Sequence, residues 1–140
     1  MTAKQYLRQL KQLENAVKTM ESELYRLRAK AESPDGPKYT AARVMYSTGD
    51  ALENDVVKLA MLESNILDKM TEYEEKRQRI VDEILSLPEA LHSKILYGIY
   101  VEGVPLWKMG QRIHYSKRQT NRIHGIALTE FYNRVLAKRK

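Results

Sequence analysis

Residues 103–128 read GVPLWKMGQRIHYSKRQTNRIHGIAL, and the order of their apolar, small and basic positions decides the fold. The pattern predicts a short helix over Leu106–Ile113, a turn at His114 and Tyr115, and a second helix starting at Ser116. In that register Met109 and Ile113 face inward from the first helix. Gly110 falls where the two helices approach closely, a point at which a larger side chain would collide. Ser116 supplies a hydroxyl cap for the second helix. Thr120, Ile123 and Ala127 then return toward the core at helical spacing. The departure is His114, at the turn position that glycine usually fills. A non-glycine residue adopts the left-handed conformation there at a cost, and histidine is among the more tolerant.

This register leaves Lys117, Arg118, Asn121 and Arg122 on the outward face of the second helix, with Gly125 one turn further on. Arginine fits the two acceptors of guanine in the major groove, and asparagine pairs with adenine. The N-terminal part of the second helix is the part that reaches base edges in a helix-turn-helix. Tyr115, Gln119 and Lys108 suit phosphates, contacts that position a protein without specifying sequence. The expected DNA-binding set is therefore Ser116, Lys117, Arg118, Gln119, Asn121, Arg122 and Gly125, with Tyr115 and Lys108 beside them. A helical hairpin with a merely solvated basic face would share the composition. Agreement in register between cap, small residue and basic face favours double-stranded DNA as the partner.

Charge points the same way. The 140 residues carry a net charge of +6, unevenly spread. Residues 1–102 hold 15 Lys/Arg against 17 Asp/Glu, a net of −2, and residues 103–140 hold 9 Lys/Arg against Glu130 alone, a net of +8. Concentration of basic charge on one segment suits a polyanion.

Upstream, Tyr6, Leu10, Leu13, Val17, Met20, Leu24 and Leu27 recur at alternating steps of 4 and 3. That heptad spacing predicts a helix over residues 2–31 with one continuous apolar seam. Ser33-Pro34-Asp35-Gly36-Pro37 stops it, and residues 33–47 read as a loop whose Tyr39, Val44, Met45 and Tyr46 pack on something. Ser47 and Asp50 are the polar candidates to cap a second long helix, which carries apolar residues from Leu52 to Ile84 and ends near Leu85. Ser86-Leu87-Pro88-Glu89 predicts a capping box opening a third helix to about Val101, ended by Gly103. The expected fold is all-α: a long-helix region over 1–86, coiled coil or helical hairpin, and a helix-turn-helix domain over 87–140. The seam serves equally a homodimer through residues 6–27 or packing against the second long helix of the same chain.

From residue 87 the sequence resembles region 4 of sigma-70-type factors. The matching pieces are LPE at 87–89, YVEG at 100–103, YS at 115–116 and RIHGIAL at 122–128. With GDALEN at 49–54 ahead of the second long helix, the chain is similar to phage and prophage regulators of the RinA and ArpU type. The resemblance spans roughly residues 35–136 and is strongest over 87–128. It implies control of phage late genes through contact with promoter DNA, with host RNA polymerase as a second partner. A chain of this length is expected to act beside the polymerase as an activator, since no text resembles the domains that melt and read a −10 element.

Two other readings share these features. A small terminase subunit also joins a DNA-binding motif to oligomerising helices, and recruits a packaging motor instead of polymerase. A coiled-coil adaptor would use the seam and have no need of the Lys117–Arg122 face. Catalysis is not expected. His92, His114 and His124 lack metal-ligand spacing, adjacent Glu74 and Glu75 diverge around their helix, and no glycine-rich phosphate loop occurs, so no cofactor is expected. His92 reads as a helix-surface residue, His124 as a neighbour of DNA, and Trp107 as a packing residue. The absence of cysteine, of a signal-peptide pattern and of a long apolar run predicts a cytoplasmic protein of a bacterial host, without membrane contact.

Overall fold

The computed structural model describes residues 1–32 and 49–139, with side chains at 1–30 and 55–139. The loop expected at 33–47 and the cap expected at Ser47 lie outside the described residues, as does the side chain of Asp50. The described elements are all helical: α1 (Ala3–Glu32), α2 (Gly49–Leu85), α3 (Ala90–Leu96), α4 (Leu106–Ile113) and α5 (Lys117–Phe131). Helix α3 continues as a π-type turn over Tyr97–Val101. Helix α5 continues likewise over Tyr132–Leu136 and ends in a short 3-10 turn at Ala137–Arg139. Among the described residues no helix is long and apolar enough to cross a membrane.

A capping box opens α1. The Gln5 amide donates to Thr2 Oγ1 at 3.2 Å, and the Thr2 amide donates to Gln5 Oε1 at 3.0 Å. Each satisfies a backbone donor that the first turn leaves without a partner. The box expected at Ser86 and Glu89 does not form. Ser86 Oγ instead donates back to the Glu83 carbonyl at 2.6 Å, so this serine closes α2. Glu89 stands at the cap position of α3 in extended conformation, without a side-chain bond. Ser93 Oγ reaches the Ile84 carbonyl at 2.9 Å and fastens the two helices together. Gly103 ends the third helical stretch as expected, with φ of +76°, and the Val104 amide donates to the Gly98 carbonyl at 2.8 Å.

Contacts group the chain into two compact units, Met1–Leu13 with Tyr73–Lys140, and Glu14–Glu72. The first unit thus takes in residues 1–13 and 73–86, which the sequence reading assigns to the long-helix region. Within it α1 runs antiparallel to the end of α2: Lys76 Nζ donates to Gln9 Oε1 at 3.1 Å, and Tyr6 Oη donates to Glu83 Oε1 at 2.5 Å. Leu7 and Leu10 of α1 pack in one cluster with Ile80, Ile84, Leu96, Tyr100, Ala127 and Phe131. A second cluster joins Ile95, Val104 and Met109, with Ile113 and Ile123 against it. Arg139, from the last turn, donates to Tyr6 Oη at 3.0 Å and to Glu83 Oε2 at 2.6 Å.

In the second unit Arg28 pairs with Glu63 at 2.5 Å and Ile66 is buried. The seam residues Val17, Met20, Leu24 and Leu27 are half-buried there, while Val56, Val57, Met61 and Leu67 are exposed. The heptad seam therefore has two environments. Tyr6 and Leu10 are buried inside their own chain, and the rest of the seam is partly open.

Leu7 is fully buried although it stands outside the heptad positions. Leu7→Ala is expected to cost about 2–5 kcal/mol in urea denaturation, whereas exposed Val57→Ala stays within about 0.5 kcal/mol.

Candidate functional site

The turn between α4 and α5 is built from backbone geometry that only a few residues fit. His114 closes α4 in the left-handed conformation, at φ 59° and ψ 39°. The Tyr115 amide donates to the Gly110 carbonyl at 2.9 Å. Ser116 then takes an extended conformation and accepts the Gln119 amide on its hydroxyl at 3.1 Å, which caps α5. A Cβ placed on Gly110 would lie 2.9 Å from Thr120 Oγ1 and 3.2 Å from the Tyr115 carbonyl oxygen. Thr120 is fully buried, and its hydroxyl donates to the Ser116 carbonyl at 2.8 Å, so it has little freedom to yield. Met109 and Gly110 are buried and Ile113 half-buried, each on the expected inward face.

Helix α5 is fixed from behind as well. Ala127 and Phe131 are fully buried. Glu130 Oε2 lies 2.5 Å from His92 Nδ1, which joins α5 to α3. Arg134 Nε stands 3.5 Å from the other carboxylate oxygen, within ion-pair range but without hydrogen-bond geometry. His124 stacks on Tyr100, with Nε2 and Oη 2.9 Å apart.

The outward face carries the expected set. Ser116, Lys117, Arg118, Gln119, Asn121, Arg122 and Gly125 are all exposed, as are Tyr115 and Lys108. Among the described residues, none of Lys117, Arg118 and Arg122 forms an ion pair, whereas Arg112, Arg134 and Arg139 lie against Glu102, Glu130 and Glu83. A Cβ on Gly125 would meet nothing within 4 Å, so no packing among the described residues demands glycine there. The face has two sides. Arg122 and Gly125 border a shallow groove with Thr129 and Lys138, while Asn121 borders a cleft beside α1. This surface offers guanidinium, ammonium and amide donors.

No protein-family model, curated protein or solved structure matches this chain.

Two side chains differ from their sequence reading. Trp107 is 57% exposed, because Met109, Gly110 and Ile113 take the inward face of the short α4. His92 is largely buried against Glu130 instead of lying free on a helix surface. His124, read as a neighbour of DNA, is half-buried against Tyr100. Sequence reasoning also passed over Lys4 and Arg8, which line the same cleft as Asn121 and His124. Their spacing on the polar side of α1 was visible, but their nearness to α5 follows only from the tertiary packing.

Gly110→Ala is expected to lose about 1–2 kcal/mol in urea denaturation, despite the gain of roughly 1 kcal/mol in helix propensity, because the added methyl meets Thr120 and backbone. Burial pushes the His124 imidazole below its ordinary value, and the charges of Lys4 and Arg8 push it further down. Unfolded histidine takes its proton near pH 6.5. The stabilising share of neutral His124 is therefore whole above that pH and lost as pH falls toward the lower folded value. Between pH 7.5 and 5.5 the wild type is expected to lose more stability than His124→Gln, measured by urea midpoints.

Proposed function

We propose that the protein is a sequence-specific double-stranded DNA-binding regulator of transcription, docking α5 in the major groove as the second helix of a helix-turn-helix. The observation that carries this reading is the outward face of α5: Lys117, Arg118 and Arg122 are exposed and free of acidic partners among the described residues, with Asn121 between them. An unneutralised basic row is what phosphates attract, and arginine and asparagine are the side chains that match guanine and adenine edges. The rigid turn supports the same reading. Base readout needs side chains fixed to within a fraction of an ångström, and the Ser116 cap with the Gly110–Thr120 contact fixes the start of α5.

The transcriptional outcome rests on the resemblance to sigma region 4 and to RinA- and ArpU-type phage regulators. On that basis the protein activates late genes beside host RNA polymerase. Docking of α5 itself does not depend on the resemblance.

Selection of bound duplexes from a random pool tests the reading. The wild type is expected to enrich one motif, and Arg118→Ala/Arg122→Ala to lose it with helicity unchanged by circular dichroism. Each arginine that reads a base is expected to contribute about 1–3 kcal/mol of affinity and to relax specificity at one position when removed. A loss uniform across sequences would assign that arginine to phosphate. No enrichment, with binding that only fades as salt rises, would contradict specific readout.

A further inference from the structure

Lys4, Arg8 and Lys11 recur at steps of 4 and 3, which puts them on one face of α1. The other face, with Ala3, Tyr6, Leu7 and Leu10, is buried in the core, so the cations are presented by a helix that cannot turn away. Together with Tyr100, Asn121 and His124 they line a cleft of about 430 Å³ between α1 and the exposed side of α5. No Asp or Glu lines this cleft among the described residues. Lys4 and Arg8 form no ion pair there either. Lys4 and Arg8, one turn apart and each without an acidic partner among the described residues, oppose one another, and an anion relieves that opposition. Burial, and after it the charges of Lys4 and Arg8, disfavour the protonated imidazole of His124 beside this cleft.

We propose that Lys4, Arg8 and Lys11 hold the sugar-phosphate backbone of the duplex that α5 reads, so that α1 is a second DNA-contacting element. This inference rests on the reading of α5 given above. The cleft joins the cation row to Asn121, one of the residues assigned to base edges, so a strand engaged by α5 passes the row. From Lys4 to Lys11 the row is roughly 10 Å long at 1.5 Å rise per residue. Phosphates of one strand follow about every 3.4 Å along the duplex axis. A row of that length suits a run of phosphates better than one small anion.

The test is the salt dependence of binding to the selected duplex, followed by fluorescence anisotropy for three proteins. Lys4→Ala/Arg8→Ala is expected to reduce the slope of log affinity against log salt by about 1 for each cation removed, and to select the same motif as the wild type. Arg79→Ala/Lys94→Ala removes equal charge from exposed positions that do not line the cleft, and is expected to keep the wild-type slope. An unchanged slope for the Lys4/Arg8 variant, in a wild type that binds its motif, overturns this inference and leaves the reading of α5 standing. An equal drop in both variants would assign the effect to net charge and also overturn it. A wild type that binds no duplex overturns both.

Discussion

Burial of one face of α1 against the ends of α2, α3 and α5 is the constraint on which the first compact unit depends. Leu7 and Leu10 meet Ile80, Ile84, Leu96, Ala127 and Phe131, residues contributed by three other helices. Each large side chain so buried contributes on the order of 1.5–3 kcal/mol of transfer free energy. At one edge of the unit a polar cluster of Tyr6, Glu83 and Arg139 joins α1, the end of α2 and the final turn. Burial and the bond to Glu83 raise the Tyr6 pKa, so its hydroxyl stays protonated and continues to donate. Arg139 also lies over the Tyr6 ring, 5.3 Å from its centroid. The core fixes α5 from behind, and the same packing brings the polar side of α1 beside it.

Local signals made the α4–α5 turn legible in the sequence. Its cap, its close-approach glycine and its inward positions all lie between Met109 and Ala127, close enough in sequence for helical period and steric size to decide the outcome. His114 occupies the left-handed position expected of it and absorbs the cost. The capping signal at residues 86–89 misled because two serines compete for the same region. Ser86 satisfies the end of α2, and Ser93 bonds to a carbonyl there, leaving α3 to begin without a side-chain cap. The equivalent signal at Thr2 and Gln5 does form, at a helix start where nothing competes. The heptad seam is continuous in the sequence, yet periodicity carries no information on which surface covers it. Tyr6 and Leu10 are covered by the chain's own core, while Val17 to Leu27 are only half-covered.

Charge was legible as a sum and not as a map. The basic segment over 103–140 loses Arg112, Arg134 and Arg139 to ion pairs with nearby acids, while Lys4 and Arg8 join the cleft from a segment whose total charge is slightly acidic. The basic surface in space therefore differs from the basic stretch in sequence. The histidines illustrate the same limit. His92 and His124 sit at positions that helical spacing leaves ambiguous, and tertiary contacts with Glu130 and Tyr100 draw both inward.

The central claim is that the outward face of α5 reads DNA while the rest of the first unit supports it. Backbone amide NMR of the labelled protein, titrated with its selected duplex, tests this most directly. The account predicts the largest shift changes over residues 116–125 and along residues 4–11, with little change around Val81, Leu85 and Lys94 on the α2–α3 groove. Changes concentrated on that groove or on residues 55–72, with residues 116–125 unmoved, would contradict it.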